Sequence, residues 1–349
     1  MTTIAPIDTV DPRTDDRWRE LAAGEHGDLF TSPPWIDAVC ATYGFTPLAR
    51  VLLDTDGTPS GGLAWVPISD VRGDRLCSLP FSDWADPVAP DPATWNALVD
   101  GLITPGTRLT LRCRRVAAPV ADPRLRVTGE RLRHTTRIDA PVDDLHRRID
   151  GTARRNIAKA ERCGIRIDAV RDISGVQQFT ELQVGLRKRK YRMLGQPPEF
   201  FENIWERFSA DDAVVTMLAR LGGETVAGVV FLVWNGVLHG KFAASRPEYL
   251  HLRPNDAIFW AGIRWAAQHG MHLVDWGASD LDQPGLVRFK RKYATGEERV
   301  VALRSAGEPS RAQVEATRVL GDITWLLTDE SVPDEITSRA SAVLYRYFC

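Results

Sequence analysis

Three apolar segments separated by two tight-turn signals constrain the fold of this chain more than any other feature. Residues 213–221, 225–234 and 237–245 are rich in apolar and β-branched side chains. Gly222-Gly223-Glu224 separates the first two segments, and Asn235-Gly236 separates the last two. Asn-Gly between apolar runs favours a two-residue hairpin turn, because both residues tolerate a positive φ. The sequence therefore predicts three adjacent antiparallel strands.

A helix and a buried strand are predicted directly after this meander. Residues 255–269 have a helical apolar pattern that stops at Gly270, and Asn255 or Asp256 is expected to be the N-cap. Residues 271–277 (MHLVDWG) then have the apolar character of a buried strand. A meander followed by a helix and a strand is an α+β arrangement.

The rest of the chain predicts another α/β unit before this one. Residues 46–53 and 61–68 form a hairpin pattern around a turn, followed by a helix near 93–103 and strands near 107–116 and 124–139. Residues 1–14 are expected to be a loose arm. Helices are also predicted at 309–327 and 333–346. At about 100–200 residues per domain, 349 residues suggest two domains.

Several classes of protein are excluded by composition and motifs. No run of about 18 apolar residues is present, so no transmembrane helix is predicted. The acidic N-terminus lacks an apolar signal segment, so a cytoplasmic location is expected. Five separated cysteines without a CxxC pair predict neither disulfides nor a zinc site, and the histidines lack metal-ligand spacing. No phosphate-binding or dinucleotide-binding glycine motif suggests ATP or NAD.

The charge is unevenly distributed along the chain. The formal net charge is −2, yet residues 101–200 carry 22 Lys+Arg against 11 Asp+Glu, an excess of eleven positive charges. A basic middle in a nearly neutral protein favours a surface that binds a polyanion. Solvated helix faces and strand edges are the alternative explanation.

Five short motifs, in this order and spacing, carry a resemblance to a known family. They are PFSDW (Pro80–Trp84), ARRNIAKAERCGI (Ala153–Ile165), RPNDAIFWAGI (Arg253–Ile263), DWGASD (Asp275–Asp280) and GLVRFKRKYATG (Gly285–Gly296). Together with the order of the elements, they make the chain resemble the Fem-type (FemAB-like) aminoacyltransferases and their acyltransferase relatives of the GNAT fold. The coiled-coil arm that some members carry is absent from the sequence.

The resemblance implies an α+β fold of two GNAT-like acyltransferase domains in tandem, with mixed, mostly antiparallel sheets flanked by helices. Residues 1–140 would be a first, degenerate domain and residues 141–305 the second. Residues 306–349 would form a helical tail that packs on the body.

The resemblance also implies the reaction. Fem-type enzymes join an aminoacyl group from aminoacyl-tRNA to an amine, so the expected acceptor is a peptide, a peptidoglycan precursor or a specialised metabolite. Phe289-Lys290 matches the family's Phe-Lys pair, which implies that Lys290 stabilises the developing negative charge. A fixed cation at an oxyanion contributes on the order of 3 kcal/mol. Asp275 is the candidate base for the amine, with a structural hydrogen bond as the alternative.

An RNA donor needs cations for phosphates and aromatic rings for unpaired bases. Arginines and lysines on the helix 152–163, the run 187–192 and the segment 288–292 are expected to line one groove with Lys290. The predicted substrate-binding residues are Phe289, Arg154, Arg155, Asp83, Trp84, Arg288, Tyr293, Arg253 and Asn255. Turn capping is the alternative role for Asp83.

Acyl-CoA is the alternative donor, and no other cofactor or metal is expected. A coenzyme A diphosphate is usually held by a glycine-rich loop at a helix N-terminus. Here that position is Arg253-Pro254-Asn255-Asp256, where Pro254 removes a backbone donor and Asp256 adds a negative charge. This disfavours coenzyme A. A non-catalytic binding protein on the same fold is the remaining alternative.

Overall fold

The computed structural model describes residues 7–114 and 116–349. Residues 1–6, which belong to the predicted loose arm, and position 115, within the predicted strand 107–116, lie outside the described residues. The prediction of a loose arm is wrong for Ile7–Val10, which form a strand paired with Ala49–Leu52. These four residues form a strand because their backbone pairs with a neighbouring strand. A strand this short leaves no clear pattern of apolar residues in the sequence.

The structure contains strands and α-helices in alternating groups. In chain order the strands are β1 (Ile7–Val10), β2 (Leu48–Leu53), β3 (Pro59–Ile68), β4 (Arg75–Cys77), β5 (Leu109–Cys113), β6 (Leu125–Arg137), β7 (Arg166–Val170), β8 (Val214–Leu221), β9 (Glu224–Trp234), β10 (Val237–Ser245), β11 (Leu273–Asp280) and β12 (Gly296–Ser305). The helices are α1 (Asp16–Ala23), α2 (Pro33–Tyr43), α3 (Pro92–Val99), α4 (Ala117–Ala121), α5 (Val142–Arg148), α6 (Gly151–Arg162), α7 (Ile173–Tyr191), α8 (Pro198–Ser209), α9 (Pro254–Gln268), α10 (Pro284–Arg291), α11 (Arg311–Leu327) and α12 (Asp334–Leu344).

Packing divides the chain into two compact units. Of the described residues, unit 1 contains 7–114, 116–131, 299–320 and 349, and unit 2 contains 132–298 and 321–348. The predicted domains at 1–140, 141–305 and 306–349 describe two GNAT-like copies and a tail, and not units defined by packing. That division therefore stays a prediction.

Both units repeat one strand topology. The strand order is β1-β2-β3-β4-β5-β12 in unit 1, with β12 counted from residue 299, and β7-β8-β9-β10-β11-β6 in unit 2, with β6 counted from residue 132. In each unit the first four strands pair antiparallel, and the fourth and fifth, β4–β5 and β10–β11, pair parallel. A helix connects each parallel pair, as such a crossover requires. The predicted α+β class with mixed, mostly antiparallel sheets flanked by helices is confirmed.

The predicted meander is confirmed as β8-β9-β10. Val237 pairs with Trp234, so only Asn235 and Gly236 form the turn. Their φ angles of 47° and 71° are both positive, as a type I′ hairpin turn needs.

Helix α9 packs closely against this meander. Ile258 and Ile263 are fully buried. A Cβ at Gly262 would lie only 2.9 Å from Cζ of Phe231 in β9, so the glycine permits the close approach of helix and sheet. The predicted cap is wrong, since the helix begins at Pro254 with Arg253 as N-cap at φ 67°, and no side chain of the described residues caps it.

The two predicted C-terminal helices are confirmed as α11 and α12. The end of α11 and all of α12 belong to unit 2, where Lys188 of α7 donates hydrogen bonds to Asp334 and to the carbonyl oxygen of Val332. Lys188 is almost completely buried, so these contacts fix the C-terminal segment to α7.

Candidate functional site

The parallel strands β10 and β11 separate partway along their length. Their pairing covers Val237–His239 and Leu273–Asp275. β10 nevertheless continues to Ser245, and β11 continues to Asp280. Gly277 has a φ of 69°, which marks an irregular backbone just after the last pair. The part of β11 beyond Asp275 therefore presents backbone groups to side chains.

A buried charge cluster lies at the last paired residues. Oδ2 of Asp275 accepts a hydrogen bond from Nε of Arg133 at 2.7 Å and lies 3.6 Å from Nδ1 of His239. Oδ1 accepts from the amide of Gly277 at 2.7 Å. Burial would raise the pKa of Asp275, but the charge of Arg133 and the His239 contact outweigh it and lower the pKa. Asp275 therefore stays an anion with weak affinity for a proton.

Lys290 reaches β11 just beyond this cluster. Its Nζ donates to the carbonyl oxygens of Gly277 at 3.1 Å and Ala278 at 3.3 Å. The side chain comes from the last turn of α10 and is 6% exposed. The structure thus places the ammonium group of Lys290, which is largely shielded from water, at the segment of β11 that has separated from β10.

Two polar atoms near this segment lack hydrogen-bond partners among the described residues. They are Oγ of Ser279 and Nδ1 of His134, on side chains that are almost completely buried. Nε2 of His134 lies 3.0 Å from Glu297. Burial and the charge of Lys290 lower the pKa of His134 despite Glu297, so His134 is neutral at neutral pH. A buried polar atom without a hydrogen-bond partner lowers the stability of the fold by about 1–3 kcal/mol. Two such atoms close together therefore need an explanation other than stability.

Asp256 joins three elements at the start of α9. Its Oδ1 accepts hydrogen bonds from Asn156 of α6 at 3.2 Å, Lys292 at 2.7 Å and the hydroxyl of Tyr293 at 2.7 Å. The negative charge expected to repel a diphosphate is therefore paired with Lys292. Asn255, in contrast, makes a long 3.4 Å contact with Ser245.

Phe289 and Tyr293 belong to an aromatic cluster in the core of unit 2. Phe259 stacks on Trp276 at 4.1 Å and meets Phe289 edge-on at 4.7 Å. Tyr293 is 2% exposed, so its ring has no open face on which a base could stack. Phe289 is half-buried, and Nζ of Lys292 lies 4.5 Å from its ring centroid.

The predicted cationic residues differ in whether their charge is paired. On α6, Arg154 donates to the carbonyl oxygen of Arg147, and Arg155 donates to the hydroxyl of Thr152. Neither has a carboxylate partner among the described residues, and the same holds for Lys159, Arg162, Arg253 and Arg288. In the run 187–192, however, three cations pair with the C-terminal segment. Lys188 and Arg189 pair with Asp334, and Arg192 pairs with Asp329.

These pairs correct the expectation that the run 187–192 is an open phosphate track. Arg192 also lies 4.2 Å over the ring of Trp325. The charges of the run serve to hold α11 and α12. Sequence alone could not show this, because the acidic partners lie more than 130 positions away.

Asp83 and Trp84 lie in unit 1. Trp84 is fully buried, packs edge-on against Phe30 at 4.9 Å, and has the guanidinium of Arg114 over its ring at 5.1 Å. It is a core residue and not the wall of a groove. Asp83 is half-buried beside it.

Sequence reasoning missed Arg133, His134, His239 and Ser279. Their signal is polar residues inside predicted buried strands, in RLRHTTR of β6, VLHGKF of β10 and GASD of β11. A charged residue in such a strand needs a buried partner, so this pattern could have drawn attention to the cluster.

Two expected absences can be examined in the described part of the chain. Residues 7–114 and 116–349 contain no group of three or more His, Cys, Asp or Glu that could hold a metal ion. Within the same residues, no helix has the length and apolar character needed to cross a membrane. All five cysteines are free thiols.

Comparisons with known proteins agree with this geometry. Residues 147–291 match the family model described as an acetyltransferase (GNAT) domain. No curated protein sequence gives a significant match.

Solved structures similar to this chain include FemX, with a TM-score of 0.61 and 14% identity over 84% of this chain and 96% of FemX. L-PGS from Bacillus licheniformis has a TM-score of 0.53 and 14% identity over 92% of this chain and 99% of that one. A tandem GNAT protein from the clavulanic acid biosynthesis pathway has a TM-score of 0.50 and 13% identity over 87% and 100%. The predicted tandem GNAT-like fold is confirmed.

Proposed function

We propose that this chain, which has the Fem-like GNAT fold and a GNAT acyltransferase domain at residues 147–291, is an N-aminoacyltransferase. In this proposal it moves an aminoacyl group from aminoacyl-tRNA to an amine of a peptide, a peptidoglycan precursor or a specialised metabolite.

The observation that carries the proposal is the placement of Lys290. Its ammonium group is 6% exposed and is held by two carbonyl oxygens of β11, where that strand has left β10. A cation fixed in a water-poor site stabilises an oxyanion far better than one in bulk water.

The proposed step balances without an added reactant. The neutral amine attacks the ester carbonyl carbon of the aminoacyl group, and its oxygen becomes anionic beside Lys290. The bond to the ribose oxygen then breaks as the amide forms. The amine loses one proton, and the departing ribose oxygen gains one.

The sequence predicted Asp275 as the general base, but the surroundings of Asp275 favour a positioning role. Its lowered pKa makes it a poor proton acceptor, whereas its bonds to Arg133 and Gly277 hold β6 and the irregular turn of β11 in place. We propose that Asp275 positions the carbonyl groups that hold Lys290.

The choice of an RNA donor rests on α6. Arg154, Arg155, Lys159 and Arg162 have no carboxylate partner among the described residues, unlike most of the run 187–192. Phosphate groups are the natural partners for a row of unpaired cations, and each contact would release counterions and make binding salt-dependent.

The test is incubation with a mixture of charged tRNAs and candidate amines, followed by mass spectrometry of amide products. We expect a product that disappears after ribonuclease treatment. Arg155→Gln and Lys159→Gln should each weaken tRNA binding and reduce its salt slope by about one. Arg147→Gln is the matched control, because Arg147 is an exposed arginine that already pairs with Asp144. An unchanged slope in the α6 variants would remove the support for an RNA donor.

Acyl-CoA is the second candidate donor, and one observation favours it. The first turn of α9 has no side-chain cap among the described residues, and the charge of Asp256 is neutralised by Lys292. The expected result for this candidate is release of free thiol from acetyl-CoA that is insensitive to ribonuclease. Folded protein that turns over neither donor would favour a non-catalytic binding protein.

A further inference from the structure

His239 lies at the last paired position of β10, directly before that strand separates from β11. It pairs in register with Asp275 of β11 and with Leu232 of β9. The register between β10 and β9 shifts between Gly240 and Phe242, so a bulge follows His239 at once. A β-bulge bends its strand and can re-aim a side chain, and bulges are frequent beside active sites. The imidazole of His239 therefore lies where the gap between β10 and β11 begins.

Asp275 connects His239 to Lys290 through a short series of contacts. Oδ2 of Asp275 lies 3.6 Å from Nδ1 of His239, and Oδ1 accepts a hydrogen bond from the amide of Gly277 at 2.7 Å. The carbonyl oxygen of the same Gly277 accepts a hydrogen bond from Nζ of Lys290 at 3.1 Å. The side chains of His239 and Asp275 are only 6% and 1% exposed. The imidazole and the ammonium group are thus held by the same short segment of β11.

The contact with Asp275 determines which ring nitrogen of His239 can exchange a proton. A ring that directs its N–H from Nδ1 toward this carboxylate keeps the lone pair of Nε2 for a proton. A carboxylate beside one ring nitrogen fixes the tautomer and the orientation of an imidazole that acts as a base. Arg133 donates a hydrogen bond to the same carboxylate oxygen, which keeps Asp275 ionised for this task. At 3.6 Å the contact is longer than a hydrogen bond, and such contacts commonly tighten when a substrate binds.

We propose that His239 is the general base of the transfer reaction, which rests on the proposed function, and that Asp275 orients it. The amine nitrogen bonds to the carbonyl carbon and gives a proton to Nε2 of His239. The carboxylate of Asp275 faces the imidazolium that forms. As the bond from the carbonyl carbon to the ribose oxygen breaks, the imidazolium gives its proton to that oxygen. With an acyl-CoA donor, the sulfur takes the place of the ribose oxygen and the proton balance is the same.

His134 is a second buried histidine close to Lys290, but it is less suited to this role. It is 0% exposed, so a substrate cannot reach its ring without a change in the surrounding structure. Its Nε2 lies 3.0 Å from Glu297 on β12, away from the last paired residues of β10 and β11. His239, in contrast, lies on one of the two strands that separate. The base is therefore assigned to His239.

The experiment measures the rate of amide formation by the full chain. The reactants are the mixture of charged tRNAs and candidate amines, or acetyl-CoA with the same amines if the wild type uses that donor. His239→Gln and His239→Ala should each lower the rate about 10²–10⁴-fold, the usual contribution of a general base. His269→Gln is the matched control and should keep the wild-type rate, because His269 is an exposed histidine that stacks on Trp265. Urea denaturation shows whether each variant is folded.

Rescue of His239→Ala by added azoles separates the chemistry of the ring from its packing. 1,2,4-Triazole has nearly the size and shape of imidazole but is a much weaker base. Because general-base catalysis increases with basicity, imidazole should raise the rate of His239→Ala about tenfold or more, and triazole should raise it far less. Equal rescue by the two azoles would show that the ring only fills space, and would overturn the assignment.

Two further outcomes separate this assignment from the proposed function. Transfer by the wild type that is equally fast in folded His239→Gln would overturn the role of His239 and leave the proposed function intact. Absence of transfer by folded wild-type protein from either donor would refute the proposed function and the role of His239 together.

Discussion

Nε of Arg133 donates a hydrogen bond to Oδ2 of Asp275 across 2.7 Å, and the two side chains are 5% and 1% exposed. Arg133 lies on β6 and Asp275 on the neighbouring strand β11. His239 on β10, the strand on the other side of β11, approaches the same carboxylate oxygen. One ion pair therefore ties together three strands at the point where β10 and β11 separate.

Removing Arg133 should leave a buried carboxylate with a weakened set of partners. Arg133→Met is expected to lower the free energy of unfolding by about 3–5 kcal/mol, the usual cost of breaking a buried pair from one side. The measurement is urea denaturation at pH 7. Arg133→Met/Asp275→Leu should recover much of the loss, because the carboxylate that lost its partner is then absent as well. A double variant as unstable as the single one would contradict this explanation.

The stability lost in Arg133→Met should also depend on pH. In the wild type the pKa of Asp275 is lowered, so its stabilising contribution is present above the unfolded pKa of about 3.9 and disappears as pH falls toward the folded value. Without Arg133 the pKa of Asp275 rises. The difference in unfolding free energy between wild type and Arg133→Met should therefore be largest near neutral pH and shrink toward pH 4. A difference that is constant over this range would argue against titration of Asp275.

Loss of the Lys290 charge should reduce catalysis more than binding. Lys290→Met keeps most of the buried stem and removes the ammonium group, so kcat for amide formation should fall about 10²–10³-fold with a small change in KM. Arg291→Ala is the control, because Arg291 lies on the same helix as Lys290 but is an exposed cation that pairs with Glu297 of β12. Thermal denaturation of both variants separates a catalytic effect from unfolding. Full activity of folded Lys290→Met would exclude the proposed role.

The neutral state of His134 depends partly on Lys290. The positive charge of Lys290 helps to lower the pKa of His134, so Lys290→Met should raise that pKa. Histidine resonances in an NMR pH titration measure it directly. The lowered pKa also means that His134 supports folding above its unfolded pKa of about 6.5 and opposes it as pH falls. Arg291→Ala should shift the titration much less, because burial and Lys290 are the larger influences on His134.

The C-terminal segment should depend on Asp334 more than on Asp329. Asp334 is the carboxylate partner of Lys188, whose side chain is 3% exposed, whereas Asp329 meets the more exposed Arg192. Asp334→Asn is therefore expected to cost more than the roughly 0–1 kcal/mol of a surface pair, and Asp329→Asn should stay within that range. Urea denaturation and limited proteolysis near residue 330 provide the comparison. Equal effects of the two changes would show that the burial of Lys188 is unimportant.

Local patterns account for the elements that were predicted correctly. The β8-β9-β10 meander depends on apolar runs and on Asn235-Gly236, where two positive φ angles are needed. The tail helices α11 and α12 likewise follow from neighbours in sequence, whereas the helix that carries Lys290 was not predicted. The N-cap of α9 was predicted wrongly, because Asp256 turns inward to Tyr293 and Lys292 and does not bond the helix backbone.

The sequence by itself determined many of the strands and helices, because these depend on side-chain periodicity and turn chemistry. The tandem acyltransferase-like order and the importance of the motif that contains Lys290 were implied by the family resemblance. Only the tertiary structure decided which charges are available. The run 187–192 was as basic in sequence as α6, yet folding brings Asp329 and Asp334 to it and leaves the cations of α6 without carboxylate partners among the described residues. Coulomb interactions depend on distance in space and on burial, and neither quantity is carried by the order of residues along the chain.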